Sequence, residues 1–373
     1  MMMNNTITEY FTEVETTKEY NGYFCSVAEA ITIVILGSIS GLKNVSQIHQ
    51  WATDDRVNGF LKEKFGIEDV PCYYWLLCLL KLVEPVSLNR CFNKWVKSMM
   101  PESMEGMTVS IDGKTIRSTE KMDSYESPLH IVSAQVSELG MTFAQKSVES
   151  KSNEIPAVQE LLEALDIGGC IIVADALNCQ KNTAKAVISG GADYVLSVKD
   201  NHPCLKQDIA DYVGDAALRG IMDTASRTEK NRDRVEKRSA FVTEETEWLT
   251  GREEWEGLSC IGAVHTEFET KKGKTEEWHY YISSRRLTAA ELLHHARMEW
   301  AVETMHWLLD VHFGEDFCRV EDRNIQQNLN MLRKAAINLI KRYKERAGSK
   351  RAMSKIMFDC LLNPYFISDI LEN

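Results

Sequence analysis

An α/β fold preceded by a helical block is what three features of this 373-residue sequence predict. Between residues 107 and 198, β-type runs alternate with segments of helical spacing. One of those runs, CIIVADA, is apolar throughout and ends in a carboxylate, as a strand buried on both faces reads. The flanking segments, 24–100 and 288 to the end, carry apolar residues at helical rather than alternating spacing.

In chain order, residues 1–23 are polar and acidic and read as loose. Within NVSQIHQWATDDRVNGFLKEKFG, residues Ile48, Trp51, Val57 and Leu61 fall near helical spacing. CYYWLLCLLKLV and SLNRCFNKWVKSMM follow as helices, each preceded by Pro or Ser, and Pro101 closes a helical N-terminal domain over 24–104. MTVSIDGKTIR, HIVSAQVS and MTFAQKSVE read as strands by their β-branched and aromatic content. IPAVQELLEALD reads as a helix, CIIVADA as a strand, CQKNTAKAVISGG as a helix with a Gly stop and DYVLSVK as the next strand. From about 200 to 285 this rhythm lapses. The β-like runs SAFVTEE, LSCIGAVHTEFET and WHYYISSRR there read as a β-rich insertion. LTAAELLHHARMEWAVETMHWLLDVHFG and NIQQNLNMLRKAAINLIKRYKERAG read as closing helices, with 346–373 as a C-terminal tail.

Composition bounds the function. Hydrophobic residues at 44% and charged residues at 26% are globular values. None of the 10 cysteines forms a CxxC pair, which excludes zinc ribbons and thioredoxin-type motifs. Their scatter in apolar contexts reads as buried thiols in a reducing compartment. The N-terminus lacks the basic and apolar segments of a secretory leader, and AITIVILGSISGL is too short to cross a bilayer, so a cytoplasmic protein without a membrane partner is expected. A net charge of −12 argues against nonspecific coating of nucleic acid. Basic residues are nonetheless concentrated. Residues 333–351 hold eight Lys or Arg against one acid, and residues 226–238 hold six against three. Two such clusters point toward a phosphate backbone rather than idle solvated faces.

Three carboxylates carry candidate chemistry. Asp112 lies in SIDGKTI, where Asp-Gly between β-like runs is equally a hairpin-turn signal. Asp175 ends a buried strand, the edge at which α/β sheets place ligands, although Asp there also caps helices. Projection of the helix over 288–313 puts Glu299, Glu303, His306 and Asp310 in one row. Leu292, Ala296, Trp300, Trp307 and Val311 flank that row on one side, and Met298, Val302, Met305, Leu309 and Phe313 on the other. Such a helix is expected to be mostly buried, with the acidic row either a thin solvent edge or a site. Glu299 and Glu303 repel one turn apart, a cost that suits a site. Carboxylate oxygens suit Mg²⁺, and paired ions suit phosphoryl displacement. No HExxH, P-loop, GxGxxG or GxSxG occurs. His294 and His295 are adjacent, His306 and His312 share no face, and these histidines read as core or surface.

VSIDGKTIR, KSNEIPAVQELLEALDIGG, VADALNCQKNTAKAVISGGADYVLSVKDNH and EWAVETMHWLLDVHFGEDFCRV, in this order, resemble the DDE transposases of the H-repeat-associated insertion-sequence type. The similarity runs from about residue 20 to 345. It implies an RNase-H-like catalytic domain over 105–345: a mixed five-stranded sheet flanked by helices, with the insertion before the last catalytic helix. It implies a catalytic and metal-holding triad of Asp112, Asp175 and Glu303, two Mg²⁺ ions with Mn²⁺ as a possible substitute, and DNA as partner. The implied reaction is cleavage at element ends followed by strand transfer into target DNA. A homodimer on paired ends, and a nucleoid-associated place in a bacterial cytoplasm, follow from the same resemblance. Lys114, Arg117, Lys151, Asn153 and Arg297 match polar positions of the motifs and are expected to position phosphates. Arg234, Glu236 and Arg238 match a further motif, the two arginines counted with the DNA contacts, and His306 receives no ligand role. The sequence departs from the family pattern at Arg297-Met298-Glu299-Trp300 in place of R-G-H-W, at Arg232-Asp233-Arg234 in place of H-G-R, and at Asp200-Asn201-His202 in place of G-N-Q. A catalytically decayed DNA-binding relative and a metal-dependent nuclease on the same fold are the alternatives.

Overall fold

Capping chemistry sets where the N-terminal helices begin. In the computed structural model, which describes residues 7–20, 24–121, 127–148, 153–231, 234–270 and 273–372, α1 spans Ile7–Tyr10 and α2 Val27–Ile39. Ser26 opens α2 with a reciprocal capping box to Glu29. Asn44 caps α3 (Val45–Ala52), and Asp54 caps α4 (Asp55–Phe65), which Gly66 ends in the left-handed conformation at φ 67°. α5 covers Tyr73–Leu82, and α6 (Pro85–Lys97) starts on Glu84 with Pro85 in its first turn. Every residue of α2 except Val27 and Glu29 is buried, so the dozen apolar residues found there are core. Residues 7–20, expected to be loose, are docked. Phe11 is buried against Trp95, and a bridge joins Thr16 to Val83.

β1 (Thr108–Thr115), β2 (His130–Val136) and β3 (Met141–Val148) form an antiparallel meander. α7 (Glu154–Ala164) leads to β4 (Ile171–Ala174), and α8 (Lys181–Ser189) to β5 (Asp193–Val198). β4 pairs parallel with both β1 and β5. α9 (Pro203–Gly214) and α10 (Ala216–Arg219) precede β6 (Asp223–Asn231), β7 (Arg234–Thr243), β8 (Cys260–Thr270) and β9 (Gly273–Ser283). The sheet is mixed and has nine strands in the order β3-β2-β1-β4-β5-β9-β8-β7-β6, not five. The insertion strands do not form a separate layer, because β9 pairs antiparallel with β5 and carries β8, β7 and β6 onto the same sheet.

β4 is buried on both faces. Ile171 and Val173 pack in the cluster that includes Leu287, Ala289 and Leu292, whereas Ile172 and Ala174 join the large core. α11 (Ala289–Met298) opens on a capping box between Thr288 and Glu291 and crosses the first of these faces. α12 (Ala301–Phe313) lies on β1 and β2. α13 (Arg323–Arg346) is the axis of the molecule. It touches α2, α5, α6 and β3, and each residue from 328 to 340 is buried.

That burial takes Arg333 and Lys334 of the 333–351 basic cluster out of solvent, while Arg346, Lys350 and Arg351 stay exposed. Lys334 Nζ donates to Ser133 Oγ and Gln145 Oε1, each at 2.7 Å, and Arg333 donates to the Lys43 carbonyl at 3.1 Å. Lys341 reaches the Gly140 carbonyl at 2.7 Å. These cations knit helix to sheet, because a buried charge must find partners. The C-terminal tail is also structured. α14 (Met353–Leu362) and α15 (Phe366–Leu371) fold back on the helical block, with Tyr365 edge-on to Phe60 and its hydroxyl 2.7 Å from Glu63.

Candidate active site

β1 and β4 run in register from Thr108↔Ile171 to Ile111↔Ala174. Asp112 and Asp175 are the next residues, so the two carboxylates emerge side by side where β4 ends. Asp112 starts no hairpin turn. β1 stays paired with β2 across it, Asp112 opposite Ser133 and Gly113 opposite Val132. Asp175 fills both roles weighed for it. Its Oδ1 accepts the Asn178 backbone N–H at 3.2 Å, capping the short turn Ala176–Asn178, and its charge feels Asp112. Burial pushes its pKa up; the Asn178 backbone hydrogen bond opposes that, and the charges of Asp112 and Glu154 add to it.

Glu303 sits in the first turn of α12 and is exposed. The single helix expected over 288–313 is broken at Glu299 and Trp300. No Gly or Pro causes the break. The Ser110 hydroxyl donates to the Met298 carbonyl at 2.6 Å and Gln135 Nε2 donates to the Ala301 carbonyl at 3.3 Å, so side chains of the sheet enter the helical ladder. The expected acidic row is thereby divided. Glu299 and Glu303 line a cavity of about 280 Å³ with Lys199, Arg238 and Trp300. His306 Nδ1 lies 3.4 Å from Asp112 Oδ2, its Nε2 buried without a partner. Asp310 pairs with Lys114. Along α12 the burial expected on both flanks holds on one: Val302, Met305, Leu309 and Phe313 are buried, whereas Trp300, Trp307 and Val311 are exposed because α12 meets the sheet with one side only; on α11 Leu292 of that second flank is buried.

The Glu299 carboxyl is pushed up to about 8, first by burial, with Lys199 opposing and Asp175, Glu303 and Asp112 adding. Four acids therefore share one electrostatic field. Among the described residues, no three His, Cys, Asp or Glu side chains are drawn close enough to hold a metal ion as they stand.

Among the described residues, the cations matched to the family motifs are already partnered. Lys114 Nζ lies 2.9 Å from Glu315, which is fully buried; burial opposes the lysine charge, but Glu315 and Asp310 outweigh it and raise the pKa. Arg117 is exposed and faces Asp316 at 3.8 Å. Arg234 and Arg238 flank the buried Glu236, which explains the motif these three residues make: one acid neutralises and aligns two guanidiniums. Arg234 also stacks over Phe268 at 4.0 Å, and Arg238 lies 5.8 Å from the Trp300 ring. Arg297 donates to Glu229 at 2.6 Å. Asn153 is exposed at the start of α7, and Lys151 lies outside the described residues.

Sequence reasoning passed over a buried group beneath these strands. His130 Nε2 meets Glu154 Oε2 at 2.8 Å, and Asn178 Nδ2 donates to Glu154 Oε1 at 2.8 Å and to Asp175 Oδ1 at 3.1 Å. The only sequence signal for it is the NEIP segment, in which Glu154 follows Asn153. His306 was signalled by its place one turn beyond Glu303.

Residues 105–339 match the family model described as "Transposase DDE domain". The chain is 31% identical over 320 residues to "Putative transposase YncI" of Escherichia coli O157:H7, covering 83% of this chain and 81% of that protein. It is 29% identical over 342 residues to "H repeat-associated putative transposase YhhI" of Escherichia coli K12, covering 89% and 90%. It also overlays on the solved piggyBac transposase synaptic complex with hairpin DNA, at a TM-score of 0.48 and 10% identity, over 100% of this chain and 80% of that one. With a family model matching more than half of its length and these relatives covering most of it, the chain belongs to the DDE transposase family.

Proposed function

We propose that this protein cleaves DNA at the ends of its own insertion element and joins them to target DNA, with Asp112, Asp175 and Glu303 as the catalytic carboxylates. The observation that carries the reading is the placement of Asp112, within β1, beside Asp175, just past the end of the parallel β4, with the α12 acid Glu303 in the same field. In this reading β3-β2-β1-β4-β5 is the RNase-H-like core, and β6–β9 with α9 and α10 form the insertion. The partners are element-end and target DNA, and paired ends call for two copies of the chain.

The donor set fits hard divalent cations. It offers carboxylate oxygens, and the repulsion among neighbouring acids, which adds to burial in raising Asp175 and Glu299, is what a cation would relieve. Asp112 and Asp175 would hold both ions of an Mg²⁺ or Mn²⁺ pair and Glu303 the second. Such a pair, when bound, supplies charge stabilisation to the attacking and leaving oxygens of a phosphodiester. His306 restrains Asp112 from the α12 side, and Asn178 restrains Asp175. Arg238 and Arg297 line the cavity shared with Glu303, and Arg234 lines an adjoining one with them, where exchange of a carboxylate partner for a phosphate keeps each guanidinium paired.

Purified protein incubated with labelled element-end DNA and Mg²⁺ or Mn²⁺ tests this. The wild type is expected to nick the ends and yield joined products, and Asp175→Ala to lose cleavage by at least about a thousand-fold while retaining end binding. Binding without cleavage by the wild type would leave a non-catalytic DNA-binding relative. Fragments that are never joined would leave a nuclease.

A further inference from the structure

We infer that Glu154, with His130 and Asn178, is a positioning device that fixes β1 at Asp112 and the Asp175 side chain at the end of β4, and so sets how tightly the catalytic acids hold their metal ions. The inference rests on the proposed transposase reading and deepens it. All three side chains are buried, at 2%, 1% and 0% exposure, in a position where an unneeded polar cluster would be costly.

The geometry runs from one acid to the other. Asn178 Nδ2 is shared between Asp175 Oδ1 at 3.1 Å and Glu154 Oε1 at 2.8 Å, so Glu154 fixes the amide that restrains Asp175. Glu154 Oε2 lies 2.8 Å from His130 Nε2, within hydrogen-bond distance. His130 Nδ1 meets Thr115 Oγ1 at 2.9 Å, tying the group back to β1 three residues beyond Asp112. The same pair lies against the backbone of the residue after Asp112. A Cβ on Gly113 would fall 2.3 Å from His130 Nε2 and 2.5 Å from Glu154 Oε2, so glycine at that position is what lets the pair approach β1. The glycine of the Asp-Gly dipeptide thus serves close packing beneath the site and not a turn. One buried cluster restrains the Asp175 side chain directly and the Asp112 backbone by contact, as outer hydrogen-bond partners orient ligands at metal sites.

The test compares wild type, Glu154→Gln, Asn178→Ala and Asp175→Asn by Mn²⁺ titration calorimetry, by end cleavage across Mn²⁺ concentrations, and by thermal melting. Asn178→Ala leaves the His130–Glu154 pair intact, so it reports on positioning even if Glu154→Gln lowers stability. Glu154→Gln and Asn178→Ala are each expected to weaken Mn²⁺ binding by about 10–100-fold, and Asp175→Asn, which removes a ligand outright, to weaken it further. Cleavage by Glu154→Gln and Asn178→Ala is expected to fall at low Mn²⁺ and recover toward wild type at high Mn²⁺, with end-DNA affinity unchanged. Recovery by metal is the readout that a merely structural role would not give. If the wild type binds Mn²⁺ and cleaves while Asn178→Ala shows wild-type Mn²⁺ affinity, or loses rate with no recovery at any Mn²⁺ level, the inference is overturned and the transposase reading stands. If the wild type neither binds Mn²⁺ nor cleaves, the transposase reading falls and takes the inference with it.

Discussion

Glu299 stands one turn before Glu303, and its carboxyl, pushed up to about 8 by burial and by three neighbouring acids, makes stability depend on pH. In the unfolded chain a glutamate loses its proton near its ordinary value of about 4.3. The folded protein keeps the proton several pH steps longer, so it binds more protons than the unfolded chain between those two values. Its stabilising share is complete at acid pH and is lost as pH rises toward 8. Glu299→Gln removes that dependence. In metal-free protein its urea unfolding midpoint should match wild type near pH 5 and exceed it by pH 8.5. The gain should be about 1 kcal/mol once screening by solvent at this half-buried position is allowed for. Parallel curves for the two proteins would refute the assignment. At this scale much of the site was readable. A carboxylate after a buried apolar run and an acid in a helical row are local features, and Asp112, Asp175 and Glu303 all rest on them. His130 and Glu154 were not readable, because 24 residues separate them in the chain and only the folding of α7 onto β2 brings them together.

Elements were legible where their cause is local and illegible where a distant partner decides. The helices of the N-terminal block announce themselves by apolar spacing and capping residues. The break between α11 and α12 does not, because its cause is a hydroxyl on β1, 188 residues away from the carbonyl it takes. β6 was missed for a related reason: its sequence DTASRTEKN is polar, and it becomes a strand by pairing along β7 from Asp223↔Val242 to Asn231↔Arg234. Packing between elements gives a prediction from two glycines in helices. A Cβ on Gly37 of α2 would lie 2.8 Å from the Ile48 side chain of α3, whereas one on Gly59 of α4 meets nothing within 4 Å. Alanine improves helix propensity at both positions by roughly 1 kcal/mol. At Gly37 the overpacking cost of about 1–3 kcal/mol exceeds that gain. Gly59→Ala should therefore raise the denaturant midpoint and Gly37→Ala lower it. A rise in both would mean that α2 and α3 are not in contact as described.

For the proposed function a chain of net charge −12 must bring phosphates past its own acids, and the whole-molecule charge arrangement bears on how. Of the basic run over 333–351, Arg333 and Lys334 are buried and Lys341 is tied to the Gly140 carbonyl, whereas Arg346, Lys350 and Arg351 are exposed, and the cations around the site are held by Asp310, Glu315, Asp316, Glu236 and Glu229. Without metal, the field at the ends of β1 and β4 is therefore net repulsive to a phosphodiester. Neutralising that pair should help binding even as it removes catalysis. At low salt and in EDTA, the double variant Asp112→Asn, Asp175→Asn should bind element-end DNA more tightly than wild type. Two unit charges several ångströms from a phosphate in a largely aqueous cleft are worth about 1 kcal/mol, or roughly five-fold in affinity. The gap should narrow between 50 and 200 mM salt as the screening length falls toward about 8 Å. Addition of Mn²⁺ should reverse the order, because only the wild type converts its repulsive acids into a cation-bearing surface. Fluorescence anisotropy on one labelled end sequence measures all three effects. Equal affinities in EDTA at every salt concentration would mean that DNA does not pass over Asp112 and Asp175, and the catalytic face would have to be sought elsewhere on the sheet.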